Sequence, residues 1–182
     1  KRYELAFTVT LCPSVFSRTR MITLFPRYQV VNLLEGESLF IAQDGALRSQ
    51  TCIQAQSSTS FHWHNSSLLP KIRIRCSQSG SWSRGCIQLD KIGVTAMGIP
   101  SSSSKKPIVV QAEVRLATKK QDSAVVVTIW ASIEKSNPIY LLKNDSRHII
   151  LCRQMLDREG AFIWTLNAGE SIGFGFDDPE AP

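Results

Sequence analysis

The chain has 182 residues, of which 43% are hydrophobic, and a formal net charge of +6. This length is enough to bury a core in one domain or in two small packed units. Every uninterrupted apolar run is far shorter than a membrane span, and no charged-then-apolar leader follows Lys1, so neither a spanning helix nor a secretory leader is predicted. Because there is no initiator methionine, we expect a fragment of a larger protein.

Apolar and polar residues alternate along most of the chain, with the period of two that is typical of β-strands. The first strong signal, residues 22–45, predicts two strands around a polar turn. The predicted strands lie at 3–11, 29–31, 38–43, 71–75, 108–116, 124–133, 148–154 and 161–166. Gly, Asn, Asp and Ser residues separate them as turns. Many short strands at regular spacing predict an all-β fold made of β-sandwiches.

The segment 71–75 has a basic face. Ile72 and Ile74 point to one side of the predicted strand. The other side carries Lys71, Arg73 and Arg75. Such a row favours contact with anionic lipid headgroups, at about 1 kcal/mol per basic residue, or a solvated surface. It lacks interleaved aromatic residues that could stack bases, so we expect no nucleic acid as a partner.

Two polar pairs have spacings that resemble chemical sites, but neither is complete. His62 and His64 have metal-ligand spacing without a third ligand. Asp177 and Asp178 would point to opposite faces of a strand, so they do not form an acid–base pair. The five cysteines, without any Cys-x-x-Cys spacing, favour buried thiols in a reducing, cytosolic setting. We therefore expect no enzyme activity, no metal and no cofactor.

Residues 28–65 and 140–178 repeat the same landmarks in the same order. The matching residues are Tyr28 and Tyr140, Asn32 and Asn144, Gln43 and Gln154, Phe61 and Phe174, and Trp63 and Phe176. A repeat of this length indicates tandem β-modules rather than a solenoid. A single asparagine at a strand end is usually a surface turn residue. Its return in register favours a buried amide that satisfies neighbouring backbone groups.

The motifs RMITLFPRYQVVN, FIAQ, FHWHN and WSRGCIQLDKIG resemble the adaptor-binding region of the vacuolar-protein-sorting thirteen family, also called the SHORT-ROOT-binding domain. That family consists of very long bridge-like lipid-transfer proteins, and the region is a series of β-modules with an asparagine at the place of Asn32 and Asn144. The resemblance implies three parts. These are closing strands of a preceding module at 1–19, a complete module at 20–136 with a Ser/Pro/Lys loop at 98–107, and the opening half of the next module at 137–182.

The resemblance also implies a function. In the family, adaptor proteins dock on the final module through short Pro-x-Pro motifs and direct the lipid-transfer protein to organelle membranes and contact sites from the cytoplasm. Because proline cannot donate a hydrogen bond, we expect the peptide to pair with a strand edge near Asn144. The expected contact residues are Tyr140, Leu142, Ile149 and Leu151. The alternatives are a membrane-surface module that reads anionic lipids through the basic row, and a purely structural spacer.

Overall fold

The structure is a computed structural model that describes residues 3–12, 18–101, 107–118, 124–131, 138–155 and 161–181. These residues form β-strands and no helix, which confirms the all-β fold, and none of them belongs to a helix that could span a membrane. The strands are β1 (Leu5–Leu11), β2 (Arg20–Pro26), β3 (Tyr28–Asn32), β4 (Leu39–Gln43), β5 (Thr51–Ile53), β6 (Ser57–Phe61), β7 (Lys71–Arg75), β8 (Ile87–Gln88), β9 (Gly93–Ile99), β10 (Ile108–Leu116), β11 (Val125–Ala131), β12 (Tyr140–Lys143), β13 (Ile150–Cys152), β14 (Trp164–Leu166) and β15 (Ser171–Phe174). Residues 102–106, half of the predicted loop at 98–107, and the predicted boundary at 136 lie outside the described residues, whereas the first two residues of that loop, Gly98 and Ile99, belong to β9.

Strands β1 and β2 form an antiparallel hairpin, from Leu5 opposite Pro26 to Leu11 opposite Arg20. Directly opposed residues of an antiparallel pair share a face, so alternate positions of the two strands build one surface. That surface carries the exposed apolar side chains of Leu5, Phe7, Val9, Leu11, Ile22 and Leu24. The predicted boundary between residues 19 and 20 falls in the connection of this hairpin.

Arg27 is where the chain leaves the hairpin and enters the main sheet. Its N–H donates to the carbonyl of Glu4 in the hairpin at 3.1 Å. Its own carbonyl accepts from the N–H groups of Ala124 and Val125 at 3.1 and 2.8 Å. The strand predicted before the first polar turn is therefore divided into β2 and β3. Pro26, which has no N–H to extend a ladder, ends the first of them.

Strands β3 to β11, which we call the first unit, form two layers. One is a five-stranded sheet in the order β6–β3–β11–β10–β9, in which only the β3–β11 pair is parallel. The other is the antiparallel sheet β5–β4–β7–β8. Both layers contribute to one core, in which Val30, Ile41, Ile72 and Val127 are fully buried. This packing places the β3–β4 turn at the edge of the two-layer core.

Strands β12 to β15, which we call the second unit, form two antiparallel pairs. β12 pairs with β15, and β13 pairs with β14. The small core of this unit consists of Trp164, Leu166 and Phe174, and Val109 of the first unit packs against it. The predicted strands at 148–154 and 161–166 are longer than β13 and β14, because only three residues of each find a partner strand.

Candidate functional site

Asn32 ends β3 and is completely buried. Its side-chain amide donates to the carbonyl oxygens of Glu37, Ile53 and Gln54 at 2.9, 3.2 and 3.1 Å. Its Oδ1 accepts the N–H of Leu34 at 3.0 Å. The amide therefore ties the β3–β4 turn to the end of β5. It supplies partners to backbone carbonyls that burial removes from water.

Asn144 makes the same four contacts in the second unit. Its amide donates to the carbonyl oxygens of His148, Leu166 and Asn167 at 2.8, 3.1 and 2.9 Å. Its Oδ1 accepts the N–H of Ser146 at 3.0 Å. Only 1% of the residue is exposed. The asparagine frame, as we call these contacts, thus joins the β12–β13 turn to the end of β14.

Gln43 and Gln154 form a second repeated contact. The Gln43 side chain donates to the carbonyl of Asn65 at 2.8 Å and accepts the N–H groups of His64 and Asn65 at 3.0 and 2.9 Å. The Gln154 side chain donates to the carbonyl of Asp178 at 2.8 Å and accepts its N–H at 3.0 Å. Each glutamine therefore fixes a segment that follows a strand of the other sheet in its unit, β6 for Gln43 and β15 for Gln154.

Aromatic rings repeat as well. In the first unit, the rings of Tyr28 and Phe61 meet Trp63 edge to face, at centroid distances of 5.2 and 5.0 Å. In the second unit, Phe176 receives the two equivalent rings at 5.1 and 5.0 Å. Edge-to-face packing at these distances is favourable for either ring type. Phe176 therefore makes the same edge-to-face contacts in the second unit that Trp63 makes in the first.

The predicted peptide-contact residues lie on two different sides of the second unit. Leu142 packs against the second core, and the ring of Tyr140 contacts Phe176 on the same side. Ile149 and Leu151 are 65% and 67% exposed and point away from that core. A peptide that reaches the second pair lies on the outer face of β13, where Leu142 cannot touch it.

The strand edges differ between the two units. In the first unit, β4 lies between β5 and β7, and β3 lies between β6 and β11. Within the described part of the chain, β13 pairs only with β14, and β12 pairs only with β15. The neighbours β7 and β11 of the first unit therefore have no described counterpart in the second unit.

The basic row, Lys71, Arg73 and Arg75, lies on the outer face of β7 as predicted. The lysine forms an ion pair with Glu180, and this hydrogen bond raises the lysine pKa above its ordinary value. Arg73 donates to Asp44 at 2.6 Å. The guanidinium of Arg75 lies 4.6 Å from the ring centre of Trp82. Two of the three charges thus have acidic partners within the chain, which weakens their attraction for an anionic surface.

The two histidines do not come together as a site. His62 packs its ring edge to face against Tyr3, with centroids 4.9 Å apart, whereas His64 is exposed. No group of three potential metal ligands occurs among the residues that the structure describes. These contacts give His62 a packing role beside the start of the hairpin.

The two units are joined by backbone hydrogen bonds. The N–H of Gly98 donates to the carbonyl of Phe176 at 2.9 Å, and the N–H of Phe176 donates to Ala96 at 3.3 Å. Phe176 therefore pairs with the outer edge of β9. The N–H of Gly85 donates to the carbonyl of Asp177 at 2.7 Å. No periodic sequence pattern indicates this junction, because it consists mainly of main-chain contacts between distant segments.

Two glycines make the close approach at the junction possible. A Cβ atom on Gly85 would lie 2.5 Å from Cδ of Pro179, and one on Gly175 would lie 2.6 Å from the carbonyl carbon of Met97. Both distances are shorter than any side chain tolerates. The glycines of the motifs SRGC and FGFD were the available sequence signal, since glycine often marks a close backbone approach.

Asp177 is the charged group buried at the junction, with 1% exposure. Its carboxylate accepts the N–H of Phe162 at 2.7 Å and forms an ion pair with Arg84 at 3.3 Å. Burial raises the pKa of Asp177, and these two partners oppose that shift without cancelling it. Asp178 instead uses its carboxylate to cap Glu180, so the two aspartates serve separate purposes.

Comparisons with known proteins give a matching family and proteins that are similar to this chain. Residues 1–182 match the protein family described as Vacuolar-sorting associated protein 13, adaptor binding domain. The chain is 22% identical over 187 residues to the intermembrane lipid transfer protein vps13B of Dictyostelium discoideum. This match covers 98% of the chain and 3% of that protein. The chain is also 29% identical over 90 residues to the intermembrane lipid transfer protein vps13F of the same organism. This second match covers 50% of the chain and 2% of that protein. The chain therefore spans only a small part of the length of these relatives.

Proposed function

Because this chain belongs to the vacuolar-sorting associated protein 13 adaptor binding domain family, we propose that it is a non-enzymatic docking module for adaptor proteins. The adaptors present short Pro-x-Pro motifs, and docking directs a lipid-transfer protein to organelle membranes and contact sites from the cytoplasm. The function requires no cofactor. The observation that carries the proposal is the match of residues 1–182 to that family, together with the repeated frames of Asn32 and Asn144.

An open strand edge suits a proline-containing peptide for a geometric reason. In an added strand, alternate residues direct their N–H groups toward the sheet, and the residues between them direct theirs away. Proline has no N–H, so it fits only where no donor is required. The two prolines of Pro-x-Pro are two residues apart and therefore occupy equivalent positions. The middle residue can then make both ladder bonds.

Apolar side chains next to the edge provide a contact surface. Ile149 and Leu151 are more than half exposed on the outer face of β13. A short peptide must become ordered when it binds, so we expect an affinity that is micromolar in order of magnitude. Backbone bonds and apolar contacts are screened little by salt, so the affinity should change little with ionic strength.

The lipid-binding alternative is supported less well, because the lysine of the basic row and Arg73 are paired with Glu180 and Asp44. Flotation with vesicles that contain phosphatidylserine separates the two functions. We expect the chain to stay unbound in the absence of an adaptor peptide. Salt-sensitive flotation that is lost in Arg73→Gln would favour the membrane-surface function instead. A chain that binds neither peptide nor vesicle would be a structural spacer.

The proposed function is tested by fluorescence anisotropy with a labelled Pro-x-Pro peptide. The double variant Ile149→Asp, Leu151→Asp should lose at least tenfold in affinity, because it places two charges beside the peptide. Ile92→Asp is a matched control, since Ile92 is 66% exposed in the first unit. Leu142→Asp is unsuitable because Leu142 packs in the second core. Equal binding by the double variant and wild type would contradict the site.

A further inference from the structure

The outer face of the four-stranded sheet in the first unit carries a row of three side chains from three neighbouring strands. Phe40 of β4 lies directly opposite Cys52 of β5 on one side and Arg75 of β7 on the other. Directly opposed residues point to the same face of a sheet, so these side chains are neighbours. Cys52 is exposed, and the other two are partly exposed. Because β4 and β7 are each paired on both sides, this surface is not a strand edge.

The guanidinium of Arg75 is held in place by two rings and two hydrogen bonds. Its Cζ lies 5.4 Å from the ring centre of Phe40 and 4.6 Å from that of Trp82. One Nη atom donates to the carbonyl of Gly80 at 2.9 Å, and the other donates to Oε1 of Gln50. A side chain fixed in this way loses little conformational freedom when a ligand binds, so Arg75 is preorganised for recognition.

The charge of Arg75 is not neutralised within the described part of the chain. Three other basic residues of the first unit each form an ion pair with a carboxylate, namely Lys71 with Glu180, Arg73 with Asp44 and Arg84 with Asp177. Arg75 forms no ion pair with the described residues, and both of its acceptors are neutral. Its buried Nε–H has no acceptor there. Each Nη keeps a second N–H, and two such groups can bind a carboxylate through parallel hydrogen bonds.

We call the side chains of Phe40, Cys52, Arg75 and Trp82 the arginine surface. Arginine and aromatic residues are enriched at the tightest contacts of protein interfaces. Attraction to a membrane instead grows with the number of free basic residues, and the basic neighbours here are already paired. Beside the guanidinium, Phe40 and Cys52 form a short apolar strip. The arginine surface therefore fits a protein segment that presents a carboxylate and an apolar side chain.

We propose that the arginine surface binds an extended segment of a partner protein in which an acidic residue and an apolar residue are two positions apart. In an extended chain, residues at this spacing point to the same side. The carboxylate accepts from the Nη atoms of Arg75, and the apolar side chain packs on Phe40 and Cys52. This surface lies on the first unit, away from Ile149 and Leu151, so the inference goes beyond the proposed function and does not rest on it.

The test is an NMR titration of the whole chain with two tripeptides, acetyl-Glu-Gly-Phe-amide and acetyl-Gln-Gly-Phe-amide. Glutamine has nearly the shape of glutamate without its charge, so the pair isolates the carboxylate. We expect a dissociation constant for the glutamate peptide that is millimolar in order of magnitude, because the peptide is small. The glutamine peptide should bind at least about fivefold more weakly. The reporters are the Nε–H of Arg75 and the indole N–H of Trp82. Equal affinities would overturn the proposal.

Variants of the arginine locate the binding on the surface. Arg75→Gln should bind the two tripeptides equally. Arg75→Lys should show a smaller preference than wild type, because lysine keeps the charge but lacks the paired N–H groups. Arg48→Gln is the matched control, since Arg48 is exposed in the β4–β5 connection, and it should keep the wild-type preference. The amide spectrum of each variant verifies its fold. A wild-type preference in folded Arg75→Gln or Arg75→Lys would place the carboxylate elsewhere.

Thiol labelling and vesicle flotation complete the test. Saturating glutamate tripeptide should slow the modification of Cys52 by iodoacetamide and leave the rate at Cys152, in the second unit, unchanged. Equal rates at Cys52 with and without peptide would contradict the packing of the apolar side chain on this strip. Salt-sensitive flotation with phosphatidylserine vesicles that is lost in Arg75→Gln would overturn the proposal in favour of a membrane contact. Binding of a Pro-x-Pro peptide should be the same in Arg75→Gln and wild type, so the two functions fail independently.

Discussion

The first and second units use the same asparagine frame in different surroundings. Asn32 and Asn144 each donate to three carbonyls and accept one N–H, with matching distances. In the first unit, the strands beside the frame are paired on both sides. In the second unit, as far as the structure describes it, the same strands are paired on one side only. All four described contacts of the Asn144 frame lie at the ends of these strands and in the β12–β13 turn.

This difference separates what builds the fold from what builds a site. The buried amide and the glutamine contact hold strand ends together through backbone groups within one unit. They leave the side chain of Leu151 exposed on the outer face of β13. The same local contacts thus hold strand ends in both units and leave an apolar surface beside them in the second.

The largest expected effect comes from shortening the frame amides. Asn32→Ser should lower the free energy of unfolding of the first unit by about 3 kcal/mol, since serine cannot reach the three carbonyls. Asn144→Ser should cost about 1–3 kcal/mol, confined to the second unit. Denaturant unfolding followed by residue-resolved hydrogen exchange measures both. Asn65→Ser is the control, because the side chain of Asn65 only caps an exposed turn through the N–H of Ser67, and the substitution keeps the backbone groups that Gln43 binds. Two frame variants as stable as the control would reduce both asparagines to turn residues.

A smaller effect should follow from separating the units. Gly85→Ala should lower the free energy of unfolding by about 1–3 kcal/mol, because the added Cβ would overlap Pro179 and the backbone of Asp177. Faster exchange of the amides of Phe176 and Gly98 would report the loosened junction. Gly80→Ala is the matched variant, since its Cβ approaches only the rotatable hydroxyl of Ser77 at 2.8 Å. Equal exchange in both variants would show that the units are held by other contacts.

The effect of pH on the stability of the contact between the two units should be smaller still. Burial raises the pKa of Asp177 above 3.8, so the folded chain binds this proton more tightly than the unfolded chain. The resulting stabilisation is present below pH 3.8 and is lost as pH rises through the folded pKa. Asp177→Asn keeps an acceptor for Phe162 and removes this titration. The stability of wild type relative to the variant should therefore fall with rising pH. A constant or rising difference would contradict the burial of the charge.

The smallest effect concerns thiol reactivity. All five cysteines are free, and Cys52 is exposed on β5. Burial raises the pKa of Cys76 to about 12 and that of Cys86 to about 11. Because the thiolate is the reactive form, iodoacetamide should modify Cys52 first and Cys76 last in the folded chain. Mass spectrometry of a time course measures the order. Early modification of Cys76 would show that the first core opens easily.

Sequence patterns predicted most of this architecture, because period-two alternation and the Tyr, Asn and Gln landmarks are local signals. They predicted which residues recur, and the frame contacts of Asn32 and Asn144 fall on those residues. Strand β9 was missed because Gly93–Ile99 contains two glycines, which weaken the sequence signal of a strand. The partners of Lys71 and Arg73 were missed for a different reason. Glu180 is remote in sequence, and ion pairs leave no periodic pattern.

The account rests most directly on the claim that the second unit binds the adaptor peptide. An amide NMR titration of the 182-residue chain with a Pro-x-Pro peptide tests this claim without any substitution. We predict that the largest shifts occur at Ile149 and Leu151, with little change in Lys71–Arg75. Shifts centred on Lys71–Arg75, with β13 unaffected, would contradict the account and move the binding surface to the first unit.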